Sequence, residues 1–149
     1  MAVMSIIEGM RNYIAECPLL AEIPVKSRHV NWTAEPDVNG NYGIFFVSNE
    51  PIGEPYINGA QEKEYAVQIN VRKISDSDVK RLEQSAWLER LQNWFMEQVA
   101  AGKLPETPSN CIPTDVEAVN VGILDTDSTG KKNTYMVQII LTYTLYRED

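Results

Sequence analysis

The sequence has few of the residues on which catalytic, metal-binding and nucleic-acid-binding sites usually depend. Among its 149 residues are one histidine, two cysteines and 13 basic residues against 21 acidic ones, which gives a formal net charge of -8. Binding to nucleic-acid phosphates normally requires a clustered basic surface, so this charge argues against a DNA-binding groove. Two cysteines and one histidine are too few for a typical structural zinc site. We therefore expect no cofactor, no metal and no sequence-specific binding of nucleic acid.

The sequence also lacks a long hydrophobic run and an export signal. No stretch approaches the roughly 20 apolar residues that span a bilayer. The first ten positions contain no basic residue, and Glu8 interrupts their apolar stretch, unlike in a secretory signal. We therefore expect no membrane association and a reducing cytoplasm, where Cys17 and Cys111 are buried or half-buried thiols and form no disulfide.

The most regular pattern is a pair of strand-like runs, residues 116–124 and 134–146, on either side of the polar turn 125–133. Apolar and mostly polar residues alternate along the second run, as in a strand with one buried face. The predicted buried face consists of Tyr135, Val137, Ile139, Leu141, Tyr143 and Leu145. This strand is longer than a small monomeric sheet usually needs, and its length indicates contact with another subunit.

The first half of the chain predicts one helix and several strands. Ser5 and Glu8 form a capping-box pattern before an apolar stripe at helical spacing, and Pro18 ends this helix. Residues 25–33 and 42–48 are predicted strands, and the Asn-Gly pair at residues 39–40 predicts a tight hairpin turn that leads into the second. A further half-buried strand is predicted by the alternation of Tyr65, Val67, Ile69 and Val71 with other residues.

A long helix is predicted over residues 75–101, with an N-terminal signal at Ser75 and Asp78. Its wide apolar face consists of Trp87, Leu88, Leu91, Trp94, Phe95 and Val99. Val79, Leu82 and Ala86 project to another side, which indicates burial against a second element or subunit. The complete order predicts a single domain over residues 1–149 of the α+β class, with two helices packed on a largely antiparallel sheet.

Two features that resemble chemical sites lack the residues that such sites need. A catalytic role for His29 would require a partner that orients its imidazole, and spacing identifies none, so an ordinary strand histidine is expected. Residues 125–130 copy the opening half of a calcium-binding loop, but Lys131 and Lys132 follow, and Met136 stands where the bidentate glutamate belongs. A polar hairpin turn is therefore favoured over a metal site.

Aromatic residues near turns and charged residues of the last turn are candidate interface residues. Large rings at such positions can anchor a partner, and the last turn is longer than closing a hairpin requires. The candidates are Trp32, Tyr42, Tyr56, Asp125, Asp127, Lys131 and Lys132. For the charged residues, a solvated loop without a partner is the alternative.

The element order and the proline-rich connector 104–113 resemble the tail-terminator and minor capsid proteins of long-tailed phages and Gram-positive prophages. The resemblance extends from residues 5–14 to residues 135–146 and lies in element order, without a sharp residue motif. It implies a non-enzymatic homo-oligomer, commonly a hexameric ring, in the virion and, during assembly, in the host cytoplasm. Such a ring caps the phage tail tube protein, stops its polymerisation and meets the head-tail connector protein. An acidic chain suits this role, because a negative lumen lets DNA pass without adhering.

Two other classes of function remain open on the sequence alone. A small enzyme would build its site from the loop carboxylates Glu50, Glu54, Glu62 and Glu64, although no base and nucleophile pair accompanies them. A cytoplasmic binding or regulatory module could have the same fold, because fold alone does not determine function. A tail-tube gene beside the coding sequence would favour the ring.

Overall fold

Helices precede and interrupt a set of five strands. The structure is a computed structural model that describes residues 3, 5–23, 25–31, 40–75, 77–126 and 131–146. In chain order it contains α1 (Ile6–Ala15), α2 (Pro18–Ala21), a 3-10 turn (Val25–Ser27), β1 (Arg28–Val30), β2 (Asn41–Pro51), β3 (Gln61–Ile74), α3 (Asp78–Ala100), β4 (Cys111–Thr126) and β5 (Lys132–Leu145). The predicted α+β class is confirmed, with the short α2 added to the two predicted helices.

The five strands form one sheet in the order β1-β2-β3-β5-β4. Neighbours pair antiparallel, except that β1 pairs parallel with β2. The predicted tight hairpin before β2 is therefore wrong, since parallel strands need a crossover connection. The connecting residues 32–39 lie outside the described part of the chain, but Gly40 has a left-handed φ of 78°, which favours glycine. β1 is shorter than its predicted strand, because residues 25–27 form a 3-10 turn.

One face of the sheet carries the core. The predicted inward residues of β5 are at most 1% exposed at Tyr135, Val137, Ile139, Leu141 and Tyr143. Their neighbours in register on β3 are also buried, at Val71, Ile69, Val67 and Tyr65. Buried apolar residues of α1, α2 and α3 belong to the same cluster. The predicted inward faces of both strands are thus confirmed, and the helices pack against this face.

An aromatic contact joins α1 to the second half of α3. The Tyr13 ring lies 6.0 Å from both Trp94 and Phe95, measured between ring centroids. The Tyr13 hydroxyl donates to the carbonyl oxygen of Lys103 at 3.0 Å, and burial raises the pKa of Tyr13 to about 12. Its phenol therefore remains a hydrogen-bond donor across the ordinary pH range, and it holds the segment after α3 against α1.

Serine side chains cap both long helices. Ser5 Oγ accepts from the backbone N–H of Glu8 at 3.3 Å, as the capping pattern predicts. Ser77 Oγ accepts from the backbone N–H of Lys80 at 3.2 Å, so α3 begins two residues later than a cap at Ser75 would place it. Ser75 is fully buried, and its hydroxyl has a different role in the core.

α3 buries its apolar stripe only over its second half. The predicted residues Trp87, Leu88, Leu91 and Phe95 are buried, and Trp94 and Val99 pack against the core while partly exposed. On the other side, Val79 is 65% exposed and Leu82 is 72% exposed, so the described part of this chain does not cover them. Apolar contacts therefore do not explain what holds the first turns of α3 on the sheet.

A buried polar network holds those first turns. The Gln84 side chain donates to the Ile74 carbonyl oxygen at 2.8 Å. Its Oε1 accepts from the Ser75 hydroxyl at 2.5 Å and from the Tyr135 hydroxyl at 2.6 Å. Gln84 precedes Trp87 by three residues, so it lies on the same helix face as the apolar stripe and continues that stripe with a polar anchor.

We predict that Leu91→Ala lowers the free energy of unfolding by about 2–5 kcal/mol, through lost burial and a residual cavity. Leu91 is fully buried, whereas Leu82 on the same helix is 72% exposed. Leu82→Ala is therefore the matched control, with an expected change below about 0.5 kcal/mol. Equilibrium urea denaturation measures both, and equal effects of the two substitutions would contradict the packing of α3.

We predict that Gln84→Ala lowers the free energy of unfolding by about 1–3 kcal/mol, because it removes the hydrogen-bond partner of the half-buried Ile74 carbonyl and of the buried Ser75 and Tyr135 hydroxyls. Glu83→Ala, at the exposed neighbouring position, is the control. In a double-mutant cycle, Gln84→Ala combined with Tyr135→Phe should cost less than the sum of the single changes, since both remove the same hydrogen bond. Additive losses in denaturation experiments would show that the two side chains are not coupled.

Candidate interaction surfaces

The second face of the sheet, here called the open face, is formed by the strand residues that alternate with the core residues. One row of side chains in register across this face consists of Phe45, Gln68, Gln138 and Val119. These four residues are half-buried, whereas the residues that face the helices are almost fully buried. The described helices contribute their buried residues to the opposite face. The open face is thus a broad surface with both polar and apolar side chains available for contact.

A row of amide side chains crosses the middle of the open face. Asn120 donates to Gln138 at 2.7 Å, Gln138 donates to Gln68 at 3.3 Å, and Gln68 donates to Asn70 at 2.8 Å. The row connects β4, β5 and β3, and it begins at a bulge between Val119 and Gly122, where Asn120 has a φ of 54°. Because the amides bond one another, they form a rigid polar ridge rather than a set of separate binding groups.

Carboxylates collect at one end of the open face. This carboxylate patch consists of Glu50, Glu62, Glu64, Asp115 and Glu117. Glu50 lies directly opposite Glu64 in the β2–β3 pair, an arrangement of like charges that destabilises a sheet. The patch contains most of the carboxylates that the enzyme alternative would use, but Glu54 lies apart in the loop 52–60. Among the described residues, no group of three or more His, Cys, Asp and Glu could hold a metal ion.

The loop after β2 presents two apolar side chains on a hydrogen-bonded turn. The Gly59 N–H donates to the Tyr56 carbonyl oxygen at 2.9 Å, and the Tyr56 N–H donates to the Ala60 carbonyl oxygen at 2.8 Å. Asn58 Oδ1 accepts from the Ala60 N–H at 3.0 Å, which closes the turn further. At its tip the Ile57 side chain is fully exposed, and Tyr56 is 55% exposed. We call Tyr56 and Ile57 the apolar tip.

A concave site lies between α1 and the first two strands. Its volume is about 280 Å³, and we call it the α1–β1 cavity. Its lining residues are Arg11, Asn12, Ala15, Arg28, His29, Val30, Tyr42 and Ile44. The described lining contains two arginines and no carboxylate, which is notable in a chain with a net charge of -8. The cavity therefore combines an apolar wall with a positively charged rim.

Backbone contacts hold Arg28 in place at the α1–β1 cavity. Its Nε donates to the Ile23 carbonyl oxygen at 2.8 Å, and its Nη2 donates to the Ala21 carbonyl oxygen at 3.3 Å. These oxygens lie at and just beyond the C-terminal end of α2, where an arginine satisfies carbonyl groups that the helix leaves open. His29, expected to be an ordinary strand histidine, lies on β1 and is half-buried in the wall of the cavity.

The predicted interface residues do not form one surface. Tyr42 is 2% exposed and packs in the core, so its prediction as an interface anchor is corrected: β2 turns this ring toward the helices. Asp125, Lys131 and Lys132 lie at the hairpin end of β4 and β5, whereas Tyr56 lies beyond the opposite ends of the strands. Trp32 and Asp127 lie outside the described residues.

Several features of these surfaces were missed by reasoning from the sequence. The exposed Ile57 could have been identified from its position. It is an apolar residue among turn-forming residues, between Pro55 and the Asn58-Gly59 pair, where a buried side chain is not expected. Arg11 and Arg28 meet only because β1 pairs parallel with β2 beside α1, and no local pattern predicts that pairing. The carboxylate patch depends likewise on the register between strands.

No protein family model matches the chain, and no curated protein sequence matches it significantly. In the part of the chain that the structure describes, none of the helices combines the length and apolar character needed to cross a membrane. The open face, the carboxylate patch, the apolar tip and the α1–β1 cavity are therefore the features that bear on function.

Proposed function

We propose that this chain is a tail-terminator or minor capsid protein of a long-tailed phage or prophage. Copies of it form a ring, hexameric in the form that the resemblance implies, which caps the tail tube and joins it to the head connector. The observation that carries this proposal is the one-sided sheet. Its core face is covered by helices, and its open face remains half-exposed over four long strands.

The observed element order supports the resemblance. A short helical segment, a set of strands, the long α3, a proline-rich connector and the β4–β5 hairpin follow one another along the chain. The strands are also long for a sheet of this size: β3 and β5 have 14 residues each and β4 has 16, against a usual length of about 5–6. Such strands give a small subunit a wide surface for neighbours.

Charge supports a position around a DNA passage. In the proposed ring, the carboxylate patch faces the lumen, where its negative potential repels DNA phosphates and keeps the passing DNA from adhering. The charged end of the hairpin, with Asp125, Lys131 and Lys132, lies at the opposite ends of the strands. We assign this end to the rim contacts with the tail tube.

The alternatives predict different behaviour. An enzyme based on Glu50, Glu62 and Glu64 would lose turnover of a small substrate when these carboxylates become amides, with no effect on tail length. A cytoplasmic binding module would bind its partner without any tail component.

We predict that the chain shortens tail tubes when it is added to polymerising tube protein from the same genome. A cap at the growing end removes the surface to which the next tube subunit binds. Negative-stain electron microscopy gives the tube lengths, and antibody labelling should place the chain at one end of each tube. Lys131→Glu combined with Lys132→Glu should reduce capping by reversing charge at the rim.

The control is Lys26→Glu, a single charge reversal of the same kind on a lysine in the 3-10 turn away from the hairpin. Circular dichroism and thermal unfolding establish that the variants remain folded. Tubes of unchanged length, without the chain at their ends, would refute the proposed function.

A further inference from the structure

We propose that the apolar tip of one copy inserts into the α1–β1 cavity of the next copy. The contact is head-to-tail, and repetition of it closes the ring. This inference rests on the proposed function for its biological setting, but the contact itself is a property of the chain that is tested separately.

The apolar tip is both exposed and ordered, as expected for an interface anchor. Ile57 is fully exposed to solvent, and Tyr56 beside it is more than half-exposed. The backbone hydrogen bonds between Tyr56, Gly59 and Ala60 hold the tip in a defined turn. An anchor that is already ordered loses less conformational entropy when it binds. Burial of an isoleucine side chain is among the larger apolar contributions that a single residue can make.

The α1–β1 cavity suits such an anchor in size and in lining. Its volume of about 280 Å³ accommodates an aliphatic side chain with part of a neighbouring ring. Ala15, Val30 and Ile44 provide the apolar wall. Aromatic and aliphatic anchors that fill pockets of this kind dominate the energetics of many protein interfaces.

Charge at the edge of the contact is complementary. Glu54 precedes the apolar tip in the same loop and is exposed. Arg11, which is exposed on α1, and Arg28, which is half-buried on β1, both line the cavity. When Ile57 enters the cavity, the Glu54 carboxylate meets this positive rim. Such complementary charges set the orientation of the partner and speed its association.

The tip of a copy cannot reach the cavity of the same copy. The cavity includes Ile44 near the start of β2, and the loop begins at Ile52 after its end. The two positions are eight residues apart along an extended chain, a distance of about 26 Å at about 3.3 Å per residue. The two surfaces therefore pair between copies. Because they are different surfaces, the contact is heterologous, and it generates either a closed ring or an open filament.

We predict that Ile57→Asp and Arg11→Glu each weaken self-association by about tenfold to hundredfold, as expected for loss of one buried anchor or of a charged contact. Ile57→Asp destroys the tip but leaves the cavity intact, and Arg11→Glu does the reverse. A mixture of the two variants should therefore form heterodimers and nothing larger, because only one tip and one cavity remain functional. Sedimentation velocity ultracentrifugation measures the three samples.

Two further variants complete this experiment. Met96→Asp places the same charge on an exposed apolar position of α3 that has no part in the proposed contact, and it should leave association unchanged. Glu54→Arg combined with Arg11→Glu restores the charge pair in reversed order and should recover association. Where the unchanged protein assembles, a mixture that stays monomeric, or single variants that assemble like the unchanged protein, would overturn the proposal.

If the free protein associates only weakly, disulfide trapping tests the contact. Ile57→Cys combined with Ala15→Cys should form disulfide-linked oligomers under mild oxidation at high protein concentration. The native Cys17 and Cys111 are buried, and burial raises the pKa of both thiols, so they do not compete. Absence of linked oligomers, in a protein that is monomeric at the same concentration, would refute the contact.

The two proposals fail in different ways. If the mixture forms heterodimers but the chain never binds tube ends, the contact stands and the phage function is wrong. If Ile57→Asp caps tubes as well as the unchanged chain, the function stands and the contact is wrong.

Discussion

The fold depends on a simple constraint: a β-sheet has two faces, and the buried apolar residues of the described helices pack against one of them. Strong alternation along β3 and β5 places tyrosines and branched aliphatic residues on the inner face, where they are almost fully buried. The same alternation necessarily turns the intervening residues to the other side. A chain with these long strands therefore buries one face of its sheet in the core and leaves the side chains of the open face half-buried.

Different interactions hold the two halves of α3 on the sheet. The second half of α3 is held by apolar burial around Leu91, whereas the first half is held by the hydrogen bonds of Gln84. On the open face, the amides of the row bond one another, whereas Glu50 and Glu64 place like charges directly opposite each other. Carboxylates arranged in this way are costly to an isolated subunit, and they are useful where a negative potential must repel phosphate. The proposed ring gives these charges that use.

Local sequence patterns predicted the buried faces of strands and helices and one helix cap. They did not predict which distant segments pair in the sheet. The inward face of β5, the stripe around Trp87 and the Ser5 cap follow from side-chain periodicity and helix capping. The parallel pairing of β1 with β2 does not follow from such patterns. The Asn-Gly pair indicates a turn, but it does not indicate how the strands on either side of it pair. Tyr42 was assigned to an interface by its closeness to that turn, whereas the strand turns its ring inward. The carboxylate patch and the cavity likewise require the register of several strands, which no single segment encodes.

In the proposed function, copies of this chain close into a ring on the end of a tail tube. Electron cryomicroscopy of tube ends incubated with the purified chain tests it most directly. We expect a single closed ring of copies at one end, with the Ile57 loop of each copy seated against α1 of its neighbour and the carboxylate patches directed toward the lumen. Bare tube ends, or isolated copies bound without contact to one another, would contradict the claim.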